Sequence, residues 1–223
     1  YKVLNGVNFG VPQKRQRVFI VSVREDVMDD IGMPWILLSS LYPEPANEEP
    51  TIEQAIGDLQ LNNKNRVEAE ELCEIMKKSA KYKWLKRLPK NPDKVVSVGD
   101  DVVGPWYEKV IAHRTKMNKS IPDAKFSFYQ SRRVPVNQPS HSLTEQGLAS
   151  LSVHLHYAED RIFTPLEAAR LMTLPENYAN PSEDIFERGK RIGLMVAPLQ
   201  MYYLASSIYQ TILEPWNEVH RSK

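Results

Sequence analysis

The densest apolar run of the chain lies at residues 17–24, "RVFIVSVR". Its β-branched and aromatic residues favour a strand, and its apolar and polar positions do not clearly alternate. A strand that is covered on both faces shows this pattern. We therefore predict a buried strand at residues 17–24.

Two helices are predicted in the first half of the chain. Residues 51–59, "TIEQAIGDL", place Thr51 as an N-cap with Gln54 three residues later, which is the pattern of a capping box. Residues 67–87 carry apolar side chains at helical spacing with lysines between them. The proline-rich residues 33–50 predict an irregular connection.

Two further helices are predicted near the C-terminus. Thr164 is an N-cap followed by Pro165 at the first helical position, Glu167 completes a capping box, and Pro175 ends the helix. A last helix is predicted at residues 198–213, again starting with a proline. Its apolar stripe consists of Met201, Ala205, Ile208 and Ile212.

The middle of the chain is rich in loops and strongly basic. Residues 89–139 contain short extended pieces, "KVVSV", "DDVVG" and "KFSFYQSRRVPV", separated by Gly and Pro. Residues 77–133 hold 15 Lys and Arg against 5 Asp and Glu, although the net charge of the chain is only +1. This concentration of charge indicates either a surface for a polyanion such as DNA or a solvated lysine face.

Composition excludes several classes of protein. With 223 residues, 42% of them hydrophobic, the chain can form one large domain or two small ones with a core. No apolar run reaches the roughly 20 residues of a membrane helix, so we expect no membrane partner and a cytoplasmic, bacterial or phage-type location. The single Cys73 agrees with a reducing compartment. The first residue is Tyr1 rather than Met, so we expect a piece of a longer chain.

Three polar residues stand at every second position where the apolar run begins. Gln13, Arg15 and Arg17 share a face in an extended segment, whereas Lys14 and Gln16 point the other way. Two guanidiniums and an amide on one face form a fork-shaped array of donors that suits a phosphate or a carbonyl oxygen. The alternative is that both arginines form ion pairs with carboxylates elsewhere in the fold.

Residues 1–24, "YKVLNGVNFGVPQKRQRVFIVSVR", resemble the eighth conserved block of the DNA cytosine 5-methyltransferases. That block is a Gln-x-Arg-x-Arg motif, preceded by Asn, an aromatic residue and Gly-Val/Ile-Pro, and followed by an apolar strand. The preceding elements are matched here by Asn5, Phe9, Gly10, Val11 and Pro12.

Further blocks resemble the same family, in the family's order. Residues 160–178, "DRIFTPLEAARLMTLPENY", are similar to its ninth block, with Leu174 in place of the usual Phe. Residues 191–208, "RIGLMVAPLQMYYLASSI", are similar to its tenth block. Residues 139–147, "PSHSLTEQG", resemble the end of its variable target-recognition region. The matched positions of the ninth and tenth blocks are Arg161, Thr164, Glu167, Arg170, Leu171, Pro175, Gly193, Val196 and Pro198.

The resemblance implies a mixed α/β fold. The terminal strand and helix of a Rossmann-like methyltransferase domain would flank a loop-rich α+β target-recognition domain. Residues 1–27 would end the catalytic domain, 28–160 would form the target-recognition domain, 161–190 would form a hinge helix that supports it, and 191–223 would return to the catalytic domain.

The resemblance also implies a reaction. In this family a cysteine of a Pro-Cys motif attacks C6 of a flipped-out cytosine, and S-adenosylmethionine supplies the methyl group for C5. Arg17 would then reach O2 of the cytosine and the catalytic glutamate, Arg15 would brace the pocket and the DNA backbone, and Gln13 would act nearby. The ninth-block residues would fix the architecture of the recognition domain: Arg161, Thr164, Glu167 and Arg170. The capping box accounts for Thr164 and Glu167 without a functional role.

Contacts with double-stranded DNA are expected from two segments of the recognition region, residues 125–133, "KFSFYQSRR", and residues 141–147, "HSLTEQG". Arg binds guanine bidentately and Gln binds adenine, so both segments have suitable side chains. The lysines of 77–94 and 109–125 either contact phosphates or keep a helix soluble. The candidate DNA-binding residues are Lys125, Tyr129, Gln130, Ser131, Arg132, Arg133, Ser142, Leu143, Thr144 and Gln146.

The sequence also departs from the family's pattern. It contains no Pro-Cys pair, no Phe-x-Gly-x-Gly loop and no Glu-Asn-Val. Cys73 lies among glutamates, which raise the pKa of a thiol, so it is interpreted as structural. We therefore expect S-adenosylmethionine to be bound mainly by an N-terminal part outside this chain. Gly193 either lets backbone approach the cofactor or is a helix-start glycine, and Leu194 replaces the family's cofactor-side asparagine.

Three hypotheses follow. The first is the C-terminal part of a methyltransferase, inactive alone and partnered by a catalytic portion in the same or another chain. The second is a free-standing specificity subunit, and the third is a relic that only binds DNA. In the first case residues 17–24 and 198–213 should leave apolar surface that binds another chain or a second copy.

The histidines give a weaker signal. His154 and His156 share a face of a possible strand, but two ligands without a third do not make a zinc site, so no metal is expected. His113 and His141 are interpreted as phosphate-side or surface residues rather than catalytic bases.

Overall fold

Three small sheets and a series of short helices make up the fold that the computed structural model of the chain describes. The mixed α/β class predicted from the sequence is therefore confirmed at that level. Of the described helices, none combines the length and the apolar character needed to cross a bilayer. The described residues are 1–45, 49–79, 82–97, 131–145, 148, 154–178 and 183–221.

The strands are short, and each sheet joins distant parts of the chain. β1 pairs with β3 in an antiparallel sheet, and β2 pairs with β6 in a parallel one. In the third sheet β5 lies between β4, which is antiparallel to it, and β7, which is parallel. The strands are β1 Lys2–Asn5, β2 Gln13–Lys14, β3 Gln16–Phe19, β4 Val96–Ser97, β5 Arg132–Arg133, β6 Ser140–His141 and β7 His154–Leu155.

Most of the helices are only two or three turns long. The α-helices are α1 Glu25–Asp30, α2 Ile52–Ile56, α3 Asn63–Lys78, α4 Tyr82–Leu85, α5 Pro165–Leu171, α6 Ile185–Leu194, α7 Pro198–Ile208 and α8 Glu214–Arg221. Turns of 3-10 helix lie at Gly6–Phe9, Trp35–Leu41, Gly57–Leu61 and Glu176–Tyr178, and a π-turn at Tyr209–Leu213 joins α7 to α8.

Both predicted capping boxes are confirmed. At the start of α2 the Thr51 side chain accepts from the backbone of Gln54, and the Gln54 side chain accepts from the backbone N–H of Thr51. At the start of α5, Thr164 and Glu167 exchange the same two bonds. These ends were predictable because each cap is formed within four consecutive residues.

The buried strand predicted at residues 17–24 is wrong. β3 stops at Phe19, and burial alternates along it, so that Val18 and Ile20 are mainly exposed. The physical reason is that, within the part of the chain that the structure describes, β3 pairs only with β1 in a two-stranded sheet. One face of that sheet packs on α7 through Leu4 and Leu204, whereas the other face faces solvent.

Two helix predictions and one predicted connection need correction. The helix predicted at 67–87 is interrupted, since α3 ends at Lys78 and α4 follows as a separate turn. The connection predicted at 33–50 contains the turn Trp35–Leu41. On α7 the buried stripe is Gln200, Leu204, Ile208 and Ile212, of which Ile208 is partly buried, rather than the predicted one through Met201 and Ala205.

Four apolar clusters hold these elements together. The largest joins α2, α5 and α6 to the segment around Leu143 and Leu148. A second joins α3 and α4 to β7. A third packs β1 and β3 on α7, and the fourth packs α1 on Ile212 of the π-turn. The strands β1 and β3 are thus attached to α7, while the segment around Leu143 and Leu148 packs on α5 and α6.

Candidate functional site

Gln13 is fully buried at the point where three segments meet. Its Nε2 lies 3.4 Å from the carbonyl oxygen of Leu171 and 3.1 Å from the sulfur of Met172, both at the end of α5. Its Oε1 accepts a hydrogen bond of 2.9 Å from the backbone N–H of Leu143. The amide therefore joins β2 to α5 and to residues 142–145, which we name the recognition loop.

Arg15 extends the same junction toward the C-terminal helices. Its Nη1 donates to the carbonyl oxygen of Leu143 at 2.6 Å. Its Nη2 donates to the carbonyl oxygens of Gly193 at 3.2 Å and Met195 at 2.6 Å. Burial, with a smaller contribution from the charge of Arg17, lowers the pKa of Arg15 to about 10. The guanidinium is thus still charged at neutral pH, and its partners are carbonyl dipoles rather than carboxylates.

The glycines of α6 explain how closely the recognition loop approaches. A Cβ on Gly193 would lie 2.3 Å from the backbone N of Glu145 and 2.4 Å from the carbonyl carbon of Thr144. A Cβ on Gly189 would lie 3.2 Å from Leu148. Gly193 stands in the last turn of α6, not at a helix start, and close packing against the recognition loop accounts for it.

Arg17 differs from its two neighbours in the motif. Gln13 and Arg15 are buried, Lys14 and Gln16 are exposed, and Arg17 is partly exposed. Its Nη1 donates to the carbonyl oxygen of Gln16 at 2.7 Å, and burial lowers its pKa. Among the described residues no carboxylate forms an ion pair with Arg17. Its guanidinium therefore keeps donors for a ligand.

Arg161 and Glu167 form a buried ion pair at the start of α5. Two bonds of 2.7 and 2.9 Å join them, and Glu159 adds a further partner for Arg161. Burial alone would raise the pKa of Glu167, but Arg161 holds it below its usual value. The side chain of Asn65 on α3 also donates to Glu167, at 3.1 Å. This network connects α3 to α5, which agrees with the architectural role expected for the ninth block.

The two adjacent arginines of β5 have different environments. Arg133 is fully buried and donates to the carbonyl oxygens of His156 and Glu159 and to the carboxylate of Asp160. Arg132 is partly exposed. The burial of Arg133 is a correction to its expected place on the DNA-facing surface, because strand alternation turns only one of two consecutive side chains outward.

The other candidate DNA-binding residues divide into three groups. Ser142 is partly exposed and Thr144 is exposed on the recognition loop. Leu143 and Ser131 are buried, so their side chains do not extend into solvent. The remaining candidates lie outside the described residues: Lys125, Tyr129, Gln130 and Gln146.

Cys73 lies on α3 beside the ion-pair network. Its sulfur is 3.9 Å from Oε2 of Glu159. Burial raises the pKa of this thiol, and the charge of Glu159 raises it further. A thiol with a raised pKa carries less of the nucleophilic thiolate, which agrees with the structural interpretation of Cys73.

The local sequence pattern gives no sign that several residues of these networks belong to the site. Asn65, Glu159 and Asp160 become partners of Glu167, Arg161 and Arg133 only through tertiary contacts. The start of α6 did have a local signal. Asp184 caps it and Glu187 follows three residues later.

Two apolar faces remain exposed. On the β1–β3 sheet Val3 pairs with Val18 and, with Ile20, faces solvent. On α7 and the following π-turn, Tyr202 and Tyr209 are exposed. Contiguous apolar surface of this kind marks places where another polypeptide can bind.

Comparison with known proteins assigns the chain to a class. The family model described as C-5 cytosine-specific DNA methylase matches residues 1–210, so the chain belongs to this family. Proteins of this family act on DNA and use S-adenosylmethionine.

The individual relatives are Type II methyltransferases. M.NgoFVII of Neisseria gonorrhoeae is 28% identical over an alignment of 227 residues, which covers 97% of this chain and 51% of the relative. M.BbvI of Brevibacillus brevis is 27% identical over 192 residues, 85% of this chain and 43% of the relative. M.MthTI of Methanothermobacter thermautotrophicus is 48% identical over 59 residues, 26% of this chain and 15% of the relative. The chain thus spans about half the length of M.NgoFVII and smaller shares of M.BbvI and M.MthTI.

Proposed function

We propose that this chain is the target-recognition part of a DNA cytosine 5-methyltransferase of the restriction-modification type. The complete enzyme would transfer a methyl group from S-adenosylmethionine to C5 of a flipped-out cytosine in a specific duplex sequence. The observation that carries this proposal is the junction at Gln13 and Arg15. It ties the recognition loop, the end of α5 and the α6–α7 connection to the strand that presents Arg17.

The junction suggests a division of roles within the motif. Arg15 and Gln13 hold the recognition loop from inside and do not reach solvent themselves. Arg17 is the exposed member, and it would donate hydrogen bonds to O2 of the extruded cytosine. Because all three stand on one continuous segment, a shift of the recognition loop on DNA is transmitted to the residue beside the base.

The nucleophile of the reaction would come from outside this chain. Attack on C6 requires a thiolate next to the flipped base. Cys73 has a raised pKa and lies against Glu159, and the sequence has no Pro-Cys pair. We therefore assign the catalytic cysteine to a separate catalytic portion.

The residues present do not fit a polar site for S-adenosylmethionine. The backbone of Thr144 and Glu145 occupies the space beside Gly193, the glycine expected near the cofactor. Its neighbour Leu194 has an exposed apolar side chain. We therefore place the cofactor on the catalytic portion and derive no step for it here.

The exposed apolar faces of β1–β3 and α7 would bind that catalytic portion. The share of the relatives that this chain leaves uncovered, about half of M.NgoFVII, is large enough to supply such a partner. The partner would be in the same polypeptide or in a separate subunit, which is the second candidate function. Self-association of this chain would use the same faces.

A transfer assay tests the proposal. The purified chain is incubated with radiolabelled S-adenosylmethionine and a cytosine-containing duplex. We expect salt-dependent DNA binding without methyl transfer, and transfer after addition of a polypeptide from the same source that carries the Pro-Cys segment. Sustained transfer by the chain alone would contradict the assignment of the nucleophile, and binding without any complementation would favour a relic that only binds DNA.

A further inference from the structure

Thr173 lies just beyond the end of α5 and has a left-handed backbone, with a φ of 56°. Its N–H donates to the carbonyl oxygen of Arg170. The next N–H, that of Leu174, donates to the carbonyl oxygen of Ala169. These two bonds form a Schellman motif, in which glycine is the usual residue at the position of Thr173. A β-branched residue is strained in this conformation, so the end of the helix does not by itself explain a threonine here.

The Thr173 hydroxyl reaches a residue that lies 26 positions later in the chain. Its Oγ1 accepts a hydrogen bond of 3.2 Å from the backbone N–H of Leu199, the second residue of α7. The first N–H groups of a helix have no partner inside it, and the N-cap residue Ala197 forms no side-chain cap. Thr173 thus caps α7 and joins it to the end of α5.

Leu199 also contacts the segment that leads into the Gln-x-Arg-x-Arg motif. Gly10 has a φ of 77°, and a Cβ there would lie only 2.9 Å from Cδ2 of Leu199. Three residues later, the Nε2 of Gln13 lies 3.1 Å from the sulfur of Met172, which directly precedes Thr173. The start of the motif, the end of α5 and the start of α7 therefore meet around Leu199 and Thr173.

The start of α7 in turn places a partner of Arg15. The carbonyl oxygen of Met195 accepts a hydrogen bond of 2.6 Å from Nη2 of Arg15. Only Val196 and Ala197 lie between Met195 and the first residue of α7, and Ala197 is fully buried. Because so short a connection leaves little freedom, a displacement of Leu199 would also displace the Met195 carbonyl.

We propose that Thr173 is a positioning residue for methyl transfer. Its hydroxyl fixes the start of α7, the α6–α7 connection then places the Met195 carbonyl for Arg15, and the strand carries this placement on to Arg17. The inference rests on the proposed function, which gives Arg17 its task at the flipped cytosine. A glycine would end α5 with less strain, but it would leave the N–H of Leu199 without this acceptor.

Three variants of Thr173 separate the effect of the hydroxyl from that of the backbone. Thr173→Ser keeps the hydroxyl, and Thr173→Val keeps the β-branched shape without it. Thr173→Gly loses the hydroxyl but relieves the strain. Because a lost hydrogen bond is offset by an unstrained backbone, the Tm of Thr173→Gly should stay within about 4 °C of the wild type. Thr173→Val has no such offset and should have a lower Tm.

The first measurement follows the guanidinium of Arg15 by NMR in the chain alone. Its Nη–H groups should exchange with solvent about fivefold faster in Thr173→Gly and Thr173→Val, because the bond to Met195 is weakened. Thr173→Ser should keep the wild-type rate. The matched control is Asn91→Gly, which also replaces a residue of positive φ but lies before β4, outside this junction, and should leave the exchange unchanged.

The second measurement is the rate of methyl transfer in the complemented assay. Thr173→Gly should lower kcat about tenfold and leave KM for the duplex unchanged, because only the placement of a donor in the transition state is lost. Thr173→Ser should keep the wild-type kcat. A residue with a purely structural role would affect transfer only as far as it affects stability, so an unchanged kcat in the stable Thr173→Gly variant would overturn the proposal.

The outcomes separate this role from the proposed function. If wild-type transfer is complemented but Thr173→Gly changes neither the exchange of Arg15 nor kcat, the role of Thr173 is wrong while the proposed function stands. If Arg15 responds as expected but the wild-type chain gives no transfer with the catalytic portion, the proposed function is wrong, and the role of Thr173 in transfer is wrong with it.

Discussion

Arg15 and Arg161 are both buried arginines, but the fold accommodates their charges in different ways. Arg161 binds the carboxylates of Glu167 and Glu159, and these interactions raise its pKa. Arg15 binds carbonyl oxygens of Leu143, Gly193 and Met195, and its pKa is lowered. The first arrangement cancels charge within the fold. The second leaves a positive charge near the recognition loop and makes three backbone segments depend on one side chain.

The difference indicates what each arginine stabilises. Glu167 pairs with Arg161, accepts a bond from Asn65 on α3 and completes the capping box of α5, so its loss should destabilise the fold. The bonds of Arg15 join segments whose relative position matters for the site, so its loss should also move the recognition loop. The following predictions test this contrast, from the largest expected effect to the smallest.

Glu167→Gln should lower the free energy of unfolding by about 3–5 kcal/mol, because it leaves Arg161 buried without its main counter-charge. Glutamine can still accept the capping bond through its single oxygen, but its NH2 replaces the second acceptor, so the change removes the charge together with one acceptor. Urea unfolding of the chain measures the effect. The matched control is Glu187→Gln on α6, whose exposed pair with Lys190 should contribute less than about 0.5 kcal/mol. Equal losses for the two variants would contradict the contrast.

Arg15→Met should lower the free energy of unfolding by about 2–3 kcal/mol, since it leaves buried carbonyl oxygens without donors but strands no opposite charge. The same variant should weaken DNA binding, because the recognition loop loses its attachment at Leu143. Urea unfolding and a duplex-binding titration check the two effects. Lost stability with unchanged DNA affinity would mean that Arg15 does not position the loop.

Gly193→Ala should lower the free energy of unfolding by about 1–3 kcal/mol, because its Cβ would collide with the backbone of Thr144 and Glu145. Gly57→Ala is the control, since Gly57 has helical dihedral angles and a Cβ there would make an ordinary contact of 3.5 Å with Glu53. Thermal unfolding compares the two. If both alanines are tolerated equally, the close approach does not constrain the loop.

The buried histidines predict a loss of stability in mild acid. The pKa values of His154 and His156 are lowered to about 3 and about 4, mainly by burial. Unfolding returns these rings to a pKa of about 6.5, so the unfolded chain binds more protons below that pH. The free energy of unfolding should therefore fall as the pH drops below about 6.5, by up to about 1.4 kcal/mol per pH unit for each ring. Urea unfolding between about pH 7 and about pH 5 should show a shallower dependence in His154→Gln.

Arg17→Ala should have the smallest effect on folding, less than about 0.5 kcal/mol, since the side chain is partly exposed and among the described residues bonds only the carbonyl of Gln16. Its effect on methyl transfer in the complemented assay should nevertheless be large, because a donor to the flipped base is removed. Retained transfer with Arg17→Ala would remove Arg17 from the proposed base pocket.

Local features of the fold were predictable from the sequence. The caps at Thr51 and Thr164 form within four residues, so their geometry is contained in the local sequence. The alternation of burial from Gln13 to Gln16 also follows from extended backbone alone. By contrast, residues 17–24 have the composition of a covered strand, but a strand is covered only if other elements pack on both faces, and here one face faces solvent.

The partners of the site could not be predicted, because they are distant in sequence. The periodicity of the sequence does not reveal that Arg15 reaches the carbonyl oxygens of Gly193 and Met195. Nor does it reveal that the backbone of Thr144 and Glu145 packs directly against Gly193. The choice between Arg132 and Arg133 depended on the phase of a two-residue strand, which the sequence leaves open. The motif itself was visible, but its contacts are a property of the tertiary fold.

The reach of Arg15 also has a consequence for biosynthesis. Its farthest partner, Met195, is 180 residues away along the chain. At the usual rates of translation the ribosome needs about 10–35 s to add that many residues, so Arg15 leaves the exit tunnel long before Gly193 and Met195 are made. Contacts of such large separation are slow to close. During this interval β1 and β3 lack their packing partner α7, and a chaperone that covers their apolar side chains would increase the yield of folded protein.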